Sequence, residues 1–138
     1  MVEDQSAYGS LTAARKLPAT DPDRAAKIDV SLAACIGAPE AIGATAAAIL
    51  KLCDQLVDRV NKYLLSDLAV CAELAMATVR CAAYNVRVNL NDIVNPTERY
   101  RIDSGASRLV VESSKTIQRV IPRIWDRQQQ QQQAQGKA

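Results

Sequence analysis

The sequence predicts an all-α protein, an antiparallel bundle of about five helices. Three observations carry this reading. Alanine, the strongest helix former, occurs 23 times in 138 residues, while phenylalanine is absent and tryptophan occurs once. A core so poor in aromatic bulk has to be built by close approach of helices. Apolar residues also recur at three- and four-residue spacing through most of the chain, and proline or glycine falls where that pattern stops. The length suits one domain, and 49% hydrophobic with 23% charged residues is a globular composition.

The first helix is expected over residues 6–17, with Tyr8, Leu11 and Ala14 on one side and Pro18 ending it. Asp21 followed by Pro22 reads as a cap and a first helical position, and Ala25, Ile28, Leu32 and Cys35 form the next stripe. Gly37 and Pro39 should break or kink the path. A third helix then places Ile42, Ala46, Ile49, Cys53, Leu56 and Val60 inward, with Lys51, Asp54, Asp58 and Lys62 outward. Asp58 and Lys62 would form a favourable i,i+4 pair.

Residues 66–90 are the most regular part of the chain. Leu65, Leu68, Ala72, Met76, Val79, Ala83, Val86 and Leu90 hold helical spacing throughout. Cys71, Leu74, Ala75 and Ala82 make much of the other side apolar, so this helix is expected to be central and surrounded. Its polar residues follow two lines: Ser66, Glu73, Arg80 and Arg87, and Asp67, Thr78, Asn85 and Asn89. Asn95, Pro96, Thr97 and Glu98 then read as the cap, first position and capping-box acid of the last helix. Its stripe is Ala106, Leu109, Val110, Ser113, Ile117, Val120, Ile121 and Ile124, with a kink expected at Pro122. Residues 1–127 thus form the helical domain, and 128–138 a glutamine-rich tail of low complexity, expected to be frayed or disordered.

Composition excludes several chemistries. Histidine is absent, which removes His-dependent triads, His-ligated zinc and an imidazole base. A formal charge of +2 is too small to argue for a nucleic-acid partner, and Arg99 and Arg101 are too few for a binding stripe. Cys35, Cys53, Cys71 and Cys81 show no C-x-x-C spacing and read as buried, reduced thiols, with zinc or redox chemistry the weaker alternative. The chain opens M-V-E-D-Q-S, without a signal-peptide pattern, and its longest apolar stretch, residues 41–50, is too short to span a bilayer. A cytoplasmic protein with no membrane contact is expected.

One carboxylate stands apart. Asp67 follows an expected cap at Ser66 and falls in the first turn of the central helix. Such an acid stabilises the helix dipole by ~0.3–1 kcal/mol. The same position beside apolar walls also suits a general acid/base. Both readings stand on the sequence alone.

The run Leu65-Ser66-Asp67-Leu68-Ala69-Val70, an alanine-rich helix, and Ala83-Tyr84-Asn85-Val86-Arg87-Val88-Asn89-Leu90 resemble the S-D-x-x-V … N-V-x-I-N-L pattern of the cyclodeaminase/cyclohydrolase family. Upstream, Asp4-x-x-Ala7-Tyr8 and Leu17-Pro18 are similar to its D-x-x-A-F … L-P segment, in the same order. The family includes the C-terminal domain of formiminotransferase-cyclodeaminase and the bacterial methenyltetrahydrofolate cyclohydrolases. The resemblance implies a cyclodeaminase-like bundle, usually a homodimer, acting on one-carbon-substituted tetrahydrofolate without metal or cofactor. It implies Asp67 as the catalytic residue and Ser66, Asn85 and Asn89 as substrate-binding residues, with interhelical bonding the alternative role for both asparagines. Asp67 and Asn85 are about five turns, roughly 27 Å, apart on one helix, so they are expected to serve different sites or one site assembled across a dimer. The family's P-G-G-G-S loop, which precedes these motifs, is not found, so the domain is expected to be N-terminally incomplete. A second copy or a partner chain supplying that segment should cover the exposed helix faces. A non-catalytic helical scaffold using the same surface is the alternative function.

Overall fold

Among the described residues, four α-helices carry the fold: α1, Val2–Arg15; α2, Arg24–Leu56; α3, Leu65–Asn89; and α4, Pro96–Gln135. The structure, a computed structural model, describes residues 2–135. Short 3₁₀ turns at Lys62–Leu64 and Leu90–Asp92 lead into and out of α3. Cys35 lies beside Asn89, Gly43 beside Ala82 and Cys53 beside Cys71, so α2 and α3 run antiparallel. Gly43 also meets Leu109, and Asp54 meets Arg119 and Arg123, which sets α4 parallel to α2. α1 packs on α2 at the opposite end, where Arg15 pairs with Asp92.

The helix count is four and not five because Pro39 lies inside α2. Proline removes one helical donor, and the carbonyl that residue 39 would have bonded is that of Cys35. Asn89 of α3 donates Nδ2–H to this carbonyl at 3.4 Å. The neighbouring helix thus repairs the interruption, and α2 continues for 33 residues. Joined in this way it is long and apolar enough, by length and composition, to cross a bilayer. Its packing against all three other helices makes it the core helix of the bundle.

Other boundaries also move. α2 starts at Arg24 because the Asp21 carboxylate accepts from the Asp23 N–H at 2.8 Å, holding residues 21–23 in a turn. α3 starts at Leu65, one residue before the expected cap, so Ser66 lies within its first turn. Asn61 instead accepts from Tyr63 N–H and organises the turn before it. Asn95 caps α4 as expected, its Oδ1 accepting from the N–H groups of Thr97 and Glu98. α4 runs through the glutamine run to Gln135, where a frayed tail was expected; glutamine is a good helix former and a long helix propagates cooperatively.

The stripe on α3 is buried at every position from Leu65 to Leu90. Leu50, Val57, Leu65, Met76, Val120 and Ile124 are fully buried in one core cluster, each worth ~1.5–3 kcal/mol on burial. A second cluster joins α1 through Leu11 to Ile36, Val86 and Ile102. Between the two lies a waist of small residues, Ala46, Ala47 and Val79. Ile42, Ile49 and Leu56, expected inward, are exposed, while Leu50 and Val57 are buried in their place. The stripe was rotated because α2 is covered by α3 and α4 on a different side from the one the pattern suggested.

Asp54, expected on a solvated face, is largely covered and accepts from Arg119 at 2.6 Å and Arg123 at 2.7 Å. Asp58 also pairs with Arg123 and not with Lys62, because α2 ends at Leu56 and the helical register between them is lost. Arg127 donates to the carbonyls of Val57 and Val60 just past that helix end. The hydrogen bond from Arg119, with the positive charge of Arg123 beside it, holds the Asp54 carboxyl below its ordinary value of 3.8. A depressed carboxyl stabilises the fold above its unfolded pKa and loses that contribution as pH falls through the folded value. Asp54→Ala is expected to cost about 1–2 kcal/mol at neutral pH by denaturant unfolding, with the gap to wild type closing as pH falls below about 4. A gap that persists unchanged into acid would show that the ion pairs do not contribute.

Candidate functional site

α2 and α3 line an open groove of about 640 Å³, to which no described residue of α4 contributes. Ala41, Ile42, Thr45, Ala46 and Ile49 form one wall, and Asp67, Val70, Cys71, Leu74, Ala75 and Thr78 the other. The α3 wall follows from spacing: positions 67, 70, 71, 74 and 78 share one helix face. That face is apolar yet exposed, Leu74 at 64% and Val70 at 58%, and Ile42 on the α2 wall is 51% exposed. α3 is therefore central but not surrounded. Cys71 and Leu74, expected to be buried, are exposed and line the groove.

Asp67 is the one carboxylate among the lining residues and stands in the first turn of α3. The positive end of the helix favours a carboxylate there, while Val70 and Leu74 provide the apolar walls. Thr45 and Thr78 turn their hydroxyl donors onto the carbonyls of Ala41 and Leu74, so their oxygens can still accept from a ligand. The groove thus offers apolar surface for a flat ring, two acceptor hydroxyls and one acid at its rim.

The remaining expected site residues are placed elsewhere. Ser66 is exposed in the same turn as Asp67 but does not line the groove. Asn85 is exposed near the other end of α3, outside it. Asn89 directs its amide N–H groups to the carbonyls of Asn85 and Cys35, the interhelical role given as its alternative. Asp67 and Asn85 are not brought together. Cys71, Thr45 and Thr78 are groove residues that the sequence reading did not assign; the i, i+4, i+7, i+11 spacing from Asp67 was the available signal for Cys71 and Thr78, while Thr45 is brought in from α2 by packing alone. Among the described residues no cluster of three or more His, Cys, Asp or Glu side chains could hold a metal ion.

The architecture is that of an all-α bundle with an open, single-acid groove between its two core helices. The family model of formiminotransferase-cyclodeaminase matches residues 1–108, and the chain belongs to that family. Formimidoyltransferase-cyclodeaminase from Sus scrofa is 28% identical over 129 residues, covering 91% of this chain and 24% of its own length. The crystal structure of formiminotetrahydrofolate cyclodeaminase from Thermotoga maritima superposes with a TM-score of 0.69 at 19% identity, covering 92% of this chain and 59% of that one. The fold is therefore cyclodeaminase-like, and the chain spans about a quarter of the length of its pig relative.

Proposed function

We propose that the chain acts in folate one-carbon chemistry, on formimino- or methenyl-tetrahydrofolate, with Asp67 as its acid/base. The observation that carries this reading is a solvent-reachable carboxylate at the rim of an apolar groove in a member of this family. In the cyclodeaminase direction, N10 of the substrate attacks the carbon of the protonated formimino group on N5. Asp67 takes the N10 proton and returns it to the nitrogen that leaves as ammonia, closing the methenyl ring. In the hydrolytic direction, water adds to the methenyl carbon. Asp67 takes a proton from it and passes it to N5 as that bond breaks, while the second water proton is released to solvent and the formyl group stays on N10. The pterin would lie on the apolar walls, and Asn85 would serve a different site or one shared with a second copy. No cofactor beyond the folate substrate is required by this chemistry.

The open apolar surface around Leu74, Val70 and Ile42 favours a second reading, a non-catalytic subunit that uses the groove to associate. Turnover separates the two. The expected result is loss of the near-ultraviolet absorbance of methenyl-tetrahydrofolate, or ammonia release with appearance of that absorbance from the formimino substrate. Neither signal from a folded sample, with sedimentation showing a stable oligomer, would favour the subunit reading.

A further inference from the structure

We propose that Cys53 and Cys71 form a dithiol that closes to a reversible disulfide under peroxide, making this pair a redox-modification site. The two sulfurs are 3.7 Å apart across the α2–α3 interface, with the Cys53 thiol donating to Cys71 Sγ. Their environments differ sharply. Cys53 is buried on α2, whereas Cys71 is exposed on α3 and lines the groove one helical turn after Asp67. A peroxide therefore reaches Cys71 first. Burial, and secondarily the hydrogen bond to Cys71, pushes the Cys53 thiol up to about 11, which leaves Cys53 the less reactive of the two toward peroxide, while its 3.7 Å approach to Cys71 places it for the second step.

The chemistry balances. The Cys71 thiolate attacks one peroxide oxygen, the O–O bond breaks, and the sulfur becomes a sulfenic acid as water forms. Cys53 sulfur then attacks the sulfenyl sulfur and gives its proton to the departing hydroxyl, which leaves as a second water. Two thiols lose two electrons and two protons, and one peroxide becomes two waters. Cys81 does not compete for this bond, because it lies nearly three turns, roughly 15 Å, further along α3 from Cys71. The new bond would tie α2 to α3 beside Asp67 and close a loop through the turn before α3, restricting the unfolded chain.

The test is mild hydrogen peroxide on the reduced protein, followed by thiol titration after unfolding, peptide mapping and thermal melting. The thiol count should fall from four to two, with tryptic peptides 52–59 and 63–80 joined, and reductant should restore it. The oxidised form should melt at a higher temperature. Cys71→Ala, at an exposed position, should keep its three remaining thiols under the same treatment. A wild-type count that stays at four, or Cys71 ending as a sulfinic acid, would overturn the proposal. So would Cys71 joined to Cys71 of another copy.

Discussion

Asp67→Asn is expected to lower turnover of the folate substrate by about 10²–10⁴-fold, the usual contribution of a positioned general acid/base. Asparagine keeps the shape of the side chain and its place in the first turn of α3, but it cannot take up a proton at the reacting nitrogen. The groove walls are formed by other residues, so KM should change little and the loss should appear in kcat. Stability should fall by no more than ~0.3–1 kcal/mol, the dipole interaction of a first-turn acid. That small effect makes the experiment decisive, because Asp67 is exposed and the variant should fold. Unchanged kcat in the variant would remove Asp67 from the mechanism and leave only its structural role.

The second large effect is expected in the waist of the bundle. A Cβ at Gly43 would come within 3.0 Å of the Ala82 Cβ and 3.3 Å of a Leu109 methyl. Ala82 is fixed to the backbone of α3 and cannot turn aside, so a larger side chain has to push the helices apart. Gly43→Leu should therefore destabilise by about 2–3 kcal/mol in denaturant unfolding. Leucine is a better helix former than glycine, which works against the loss and isolates sterics as its cause. The control is Gly37→Leu in the same helix, where an added Cβ meets nothing within 4 Å. Equal losses at the two sites would mean that close approach at Gly43 does not hold the waist together.

Much of this was readable from local pattern. The α3 stripe from Leu65 to Leu90 faces the core at every position, because three- and four-residue spacing is a property of the helix itself. The Asn95 cap is equally local, since its side chain bonds N–H groups two and three residues on. Asp67 was singled out by its place in the first turn of the most regular helix. What surrounds it was not readable. Periodicity tells which side of a helix is apolar, but not how many neighbours cover it, so Leu74 and Cys71 were expected inside and are found on the groove. Asp54 looked solvated because its arginine partners are 65 and 69 residues away.

The sequence by itself determined an all-α chain, the inward face of α3, the cap of α4 and a first-turn acid at Asp67. All of these depend on contacts within a few residues, which the order of side chains encodes directly. Only the tertiary structure decided that α2 passes unbroken through Pro39, because the donor that meets the Cys35 carbonyl belongs to Asn89 on another helix. The same holds for the Gly43–Ala82 approach, the open groove beside Asp67 and the meeting of Cys53 with Cys71. Each is a long-range contact between helices, set by how they pack and not by the spacing within any one of them.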